Sequence, residues 1–83
     1  MKILSVHEEI EEYLNKRGLE KKFAKQVRFL EADPKYPSLN VELMEPKGKG
    51  VYSFRVDGKY KALFIFRDDL GGIDILAVTD HYQ

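Results

Sequence analysis

The sequence predicts an α+β domain: a short N-terminal strand, then an α-helical hairpin packed on a four-stranded antiparallel β-meander, in the order β-α-α-β-β-β-β. Two observations predict it. Apolar residues recur at the helical period over residues 6–32 and at the strand period of two over residues 39–79. Turn signals, above all Asp57-Gly58 between two alternating runs, divide the second region into hairpins. The 83 residues make one domain, 1–83. A chain of this size buries roughly 60–65% of the surface its unfolded form exposes, so a functional site is expected on the surface.

Ile3 and Leu4 leave room only for a very short first strand. Ser5-Val6-His7-Glu8 has the form of a capping box, which predicts a helix from about Val6 capped by Ser5. Val6, Ile10, Tyr13 and Leu14 share one face of it, and Glu8, Glu9, Glu11 and Glu12 occupy the turns where the helix dipole favours anions. Lys16, Arg17 and Gly18 suit its end. A second helix is expected over Leu19–Ala32, with Leu19, Phe23, Val27 and Leu30 as its apolar stripe and Asp33-Pro34 as its stop.

Beyond the loop 33–38, Leu39, Val41 and Leu43 alternate with Asn40, Glu42 and Met44, and Gly48–Gly50 turns the chain. Tyr52, Phe54 and Val56 form the next apolar phase, and Tyr60, Ala62, Phe64 and Phe66 continue it past Asp57-Gly58. After a turn at 68–72, Ile73, Ile75, Ala77 and Thr79 alternate with Asp74, Leu76, Val78 and Asp80. The strict period of the aromatic stripe favours a core face under the helices over a base-stacking platform.

The net charge is zero, but it is unevenly spread. Residues 47–67 hold Lys47, Lys49, Arg55, Lys59, Lys61 and Arg67 against Asp57 alone, a local balance of +5, while residues 68–83 hold four aspartates and no cation. A neutral total argues against indiscriminate nucleic-acid binding. The basic stretch leaves two readings open, a phosphate-binding surface or solvated hairpin charges. Arg55 and Lys61 fall on adjacent strands of the polar face, where two cations repel unless an anion lies between them. That pattern hints at a phosphate or carboxylate site. Without cysteine there is no disulfide and no thiolate metal site, and two histidines, His7 and His81, give no zinc spacing. No cofactor or metal is expected. The start MKILSVHEEI is neither a signal peptide nor a membrane span, so a cytoplasmic protein is expected. The closing His81-Tyr82-Gln83 is either a decorated strand end or part of a site, since histidine and tyrosine both suit proton transfer.

Four stretches resemble the toxins of the RelE/ParE superfamily of type II toxin–antitoxin systems. MKILSVHEEIEEYL is similar to the family's first strand and capped helix, and DPKYPSLNVELM to the loop after the second helix. GVYSFRVDGKYKALFIF resembles its central hairpin, and HYQ the histidine-tyrosine ending of the YoeB-like branch. The resemblance implies a metal-independent endoribonuclease that cuts messenger RNA on the ribosome and is silenced by a small antitoxin protein. By the same resemblance Arg55 would neutralise the scissile phosphate. Lys61, where the branch commonly has arginine, would add a second charge without the bidentate fork. His81 would be the general acid, Tyr82 would orient the substrate, and Glu42 would stand at the general base. Lys47, Lys49, Lys59 and Arg67 are the further RNA-binding candidates. The expected partners are the antitoxin, the ribosome and messenger RNA, with no membrane and no DNA contact by the chain itself. The competing expectations are a non-catalytic gyrase-binding ParE-type toxin and an inactive interaction module on the same fold.

Overall fold

A computed structural model describes residues 1–81. The elements are β1 (Lys2–Ile3), α1 (Glu8–Lys16), α2 (Glu20–Ala32), β2 (Glu42–Leu43), β3 (Tyr52–Arg55), β4 (Lys61–Arg67) and β5 (Gly72–Thr79). Two single 3₁₀ turns, Pro37–Leu39 and Lys47–Lys49, precede β2 and β3. The architecture is α+β, as the sequence predicts. The sheet runs β1-β5-β4-β3-β2, with β2 to β5 as an antiparallel meander. β1 extends this meander to five strands by pairing in parallel with the outer edge of β5.

That parallel edge explains why Ser5 is not the cap of α1. The Leu4 amide still donates to the Ile73 carbonyl of the sheet at 3.0 Å. The chain therefore needs Ser5 and Val6 to turn away, and helical bonding starts from the His7 carbonyl, which accepts from Ile10 and Glu11. His7 takes the N-cap position and makes no side-chain cap bond. The other end follows the sequence: Gly18 adopts a left-handed φ of 64° just beyond Lys16 and Arg17.

The helices cover one sheet face. Leu19, Phe23 and Leu30 of the predicted stripe are buried, but the fourth buried position is Gln26, while Val27 is only half-buried. Phe54, Phe64, Ile73 and Ile75 are completely buried beneath them. Phe23 meets Phe54 at 6.0 Å between ring centroids, and Phe54 meets Phe64 at 5.8 Å. Phe54 and Phe64 of the aromatic stripe are core, and Tyr52, Tyr60 and Phe66 pack half-buried against it.

Three local expectations change. Leu39 is fully buried, but in a 3₁₀ turn closed by Asn40 at φ 47°, so β2 starts only at Glu42 and leaves Leu43 exposed. The Asp57-Gly58 hairpin forms around the aspartate rather than as a two-residue turn. The Asp57 Oδ1 accepts from the Lys59 and Tyr60 amides, each at 2.9 Å. In β5 a bulge leaves Leu76 without a partner between the Phe64–Ile75 and Leu63–Ala77 pairs. The core phase passes from Ile73 and Ile75 to Val78, and Ala77 and Thr79 move to the opposite face. No helix among the described residues is long and apolar enough to cross a membrane.

Candidate functional site

Register fixes the polar face. Cross-strand partners share a face of the sheet, and the pairs Glu42–Ser53, Arg55–Lys61 and Lys61–Thr79 place all five residues opposite the helices. Glu42, Arg55 and Lys61, three of the sequence-predicted residues, are thus brought together from three strands. Lys61 donates from Nζ to Glu42 Oε1 at 2.8 Å. Neighbouring strands lie about 4.8 Å apart, so a side chain reaching from β4 to β2 has to cross β3, over the row that holds Ser53. Lys61 is accordingly buried, with 8% of its surface exposed, and Ser53 is completely buried. The Ser53 hydroxyl has no hydrogen-bond partner among the described residues.

The repulsion expected between Arg55 and Lys61 has its answer in Glu42. The Lys61 ammonium, by hydrogen bond and by charge, holds the Glu42 carboxyl below its usual value, and the Arg55 charge acts in the same sense. The carboxylate fits the anion that the sequence pattern calls for. Arg55 itself is exposed at the end of β3. Its carbonyl is held from behind, on the helix side, by Gln26 Nε2 at 2.7 Å. Gln26 Nε2 also donates to the Ser38 carbonyl at 3.1 Å, and its Oε1 accepts from the Ser38 hydroxyl at 3.3 Å. One buried amide thereby ties α2, the 3₁₀ turn and the Arg55 end of β3 together.

His81 leaves the sheet two residues after Thr79. Its side chain is 95% exposed, with Nε2 3.5 Å from Asp80 Oδ1, and its amide donates to Thr79 Oγ1 at 2.9 Å. The tail thus departs from β5 beside the Arg55–Lys61 turn. Tyr82 lies outside the described residues. The four further cations divide. Lys59 is in the same turn, 3.9 Å from Asp80 and 5.5 Å above the Tyr60 ring. Lys47 and Lys49, just before β3, and Arg67, closing β4, belong to the other end of the β3–β4 pair. Arg67 is bound at both Nε and Nη2 by Asp69, at 3.1 and 3.0 Å. No cluster of three or more histidine or carboxylate side chains suits a metal among the described residues.

Sequence reasoning missed Gln26, Ser53 and Thr79. Only Gln26 left a signal, because 19, 23, 26 and 30 follow the 4-3-4 spacing of a buried stripe as well as the apolar choice with 27 does. The sequence matches no protein-family model and no curated protein, so the site's chemistry rests on the geometry of these residues.

Proposed function

We propose that this protein is the toxin of a type II toxin–antitoxin pair: a cytoplasmic, metal-independent endoribonuclease that cuts messenger RNA on the ribosome. The observation that supports this best is the meeting of Glu42, Arg55 and Lys61 on one open sheet face, beside the point where the His81 tail leaves β5. Cleavage without a metal needs a base for the 2′-hydroxyl, cations for the charge developing on phosphorus, and an acid for the departing 5′-oxygen. Arg55 and Lys61 hold the phosphate. Glu42 takes the 2′-hydroxyl proton as that oxygen attacks phosphorus, the bond to the 5′-oxygen breaks, and His81 protonates the leaving oxygen. The products are a 2′,3′-cyclic phosphate and a free 5′-hydroxyl. Bound to Lys61, Glu42 is a weak base. A phosphate that draws Lys61 away restores its basicity, so substrate binding switches the base on. The cognate antitoxin, the ribosome and messenger RNA are the partners under this reading.

One observation favours a second reading. The Glu42–Lys61 bond neutralises the site internally, and the resting His81 faces solvent beside Asp80. A non-catalytic module of the same fold, binding gyrase or another protein, would also keep such a pair. Inducing the wild-type chain, His81→Ala and Arg55→Ala in cells, with growth followed and messenger-RNA ends mapped, separates the two. Growth arrest with new RNA ends that both variants abolish is the expected result. Arrest without new ends refutes the nuclease, and cleavage unchanged by His81→Ala removes the tail from the mechanism.

A further inference from the structure

The cleft between residues 34–41 and the Tyr52 and Phe66 side chains of β3 and β4 lies on the helix-covered side of the sheet, away from the face of Arg55 and Lys61, and its chemistry is different. We propose that it is a subsite for single-stranded RNA, in which a nucleobase stacks on Tyr36. The proposal rests on the RNA reading above and adds a second contact to it. The cleft encloses about 400 Å³ and is lined by Tyr36, Tyr52 and Phe66, with Lys35 and Asn40 among its polar groups. One face of the Tyr36 ring is stacked on Phe29, with centroids 4.1 Å apart and planes 13° from parallel. Tyr36 is nevertheless 40% exposed. A ring backed on one side and open on the other is a rigid stacking surface that costs little entropy to use. Tyr52 and Phe66 meet edge to face at 5.1 Å and form a second aromatic wall.

Charge decides between a nucleic acid and an apolar peptide as the occupant. Lys35 borders the cleft, and Lys47 and Lys49 form the turn that enters β3 at Tyr52. None of these three lysines has an ion pair among the described residues, although the chain carries fourteen carboxylate side chains. A lysine on the cleft wall, with two more in the turn leading to Tyr52 and none of the three ion-paired among the described residues, suits bases joined by phosphates. Lys47 and Lys49, the RNA-binding candidates that stand apart from the Arg55–Lys61 end, sit in the turn that leads to Tyr52 of this cleft. Lys61 and Phe66 are five residues apart on β4, roughly 17 Å. An RNA strand that rounds the β2 edge would span both sites.

The test uses the full chain with short oligouridylate and oligoadenylate, away from the ribosome. NMR of the wild type should show ring protons of Tyr36, Tyr52 and Phe66 shifting on titration. Tyrosine fluorescence, readable because the chain has no tryptophan, should give affinities that Tyr36→Ala weakens about five- to a hundredfold and Tyr36→Phe keeps. Replacing Lys47 and Lys49 with glutamine should flatten the salt dependence by about 0.7 in log–log slope for each phosphate no longer neutralised. Ring protons that do not move, equal affinity in Tyr36→Ala, or tighter binding of an oligoproline peptide that displaces the RNA would each overturn the subsite. Failure of the nuclease reading looks different: no RNA ends on induction, with Tyr36-dependent binding intact.

Discussion

Replacing Gln26 with alanine tests whether the Arg55 end of β3 is held from the helix side. The change removes three hydrogen bonds: to the Arg55 carbonyl at 2.7 Å, to the Ser38 carbonyl at 3.1 Å, and from the Ser38 hydroxyl at 3.3 Å. A net bond contributes about 0.5–1.5 kcal/mol, and a buried group left without a partner costs about 1–3 kcal/mol. The short Arg55 bond falls in the upper part of that range and the two Ser38 bonds in the lower. The expected loss is about 2–4 kcal/mol, from a total that for such domains is about 5–15 kcal/mol. Urea unfolding should show a lower midpoint with an unchanged slope. Melting should fall by at least about 8 °C, at about 4–8 °C per kcal/mol for this chain length. Gln26→Glu is the sharper control. It keeps the acceptor for Ser38 but turns a second oxygen on two carbonyl oxygens, so it should be worse than alanine above the carboxylate range. Ser38→Ala, which removes only the longest bond, should cost about 0.5–1 kcal/mol. A Gln26→Ala loss under about 0.5 kcal/mol, or a Gln26→Glu chain as stable as wild type, would refute the idea that this amide positions Arg55.

Gly72→Ala tests the parallel edge: a methyl there meets the Leu4 side chain and lies 2.8 Å from the Lys2 carbonyl. It should cost about 1–3 kcal/mol and speed hydrogen exchange at the Leu4 amide, whereas unchanged exchange would mean that β1 is not held there. The Asp57 carboxyl is held below its ordinary value, because burial, which pushes it up, is outweighed by the amides of Lys59 and Tyr60 and by Lys22. A depressed carboxyl stabilises the fold above its unfolded pKa and loses that contribution as pH falls through the folded pKa. Asp57→Ala should therefore cost about 1–2 kcal/mol at neutral pH, and the gap to wild type should close on acidification in paired unfolding curves. Lys61→Met, which keeps the stem across β3, should be more stable than Lys61→Ala by about 1–2 kcal/mol at about 0.8 kcal/mol per buried methylene. Under the nuclease reading both variants should bind phosphate less well than wild type by titration calorimetry, while equal stabilities would mean that the Lys61 stem does not cover Ser53.

The fold was legible wherever a local period decides the structure. Turn chemistry and alternation place α1, α2, β3, β4 and β5 within a residue or two, and the aromatic stripe falls on the helix face as its period requires. The failures come from tertiary demands that a local pattern cannot express. Ser5 has the chemistry of a cap, but the chain is still tied to the sheet at Leu4 and has not yet turned. Leu39 has the phase of a strand, yet it reaches the core from a 3₁₀ turn because Asn40 bends the chain just after it. Gln26 reads as a surface residue until the carbonyls of Ser38 and Arg55 arrive above it from elsewhere in the chain.

The site depends on one such unreadable feature. Strand parity alone puts Thr79 in phase with Ile73 and Ile75, facing the helices, and would carry the continuing chain along the core side. The extra residue at Leu76 reverses that phase, so Thr79 pairs with Lys61 on the face that also holds Arg55 and Glu42. Nothing in ILAVT marks the bulge, because every residue there is acceptable on either face of a strand. The charges themselves were legible: two cations at paired positions required an anion, and Glu42 meets that requirement at 2.8 Å. Composition and register can specify where two cations and a carboxylate meet, then, but the irregularity in β5 decides that Thr79, and with it the start of the tail, lies on their face.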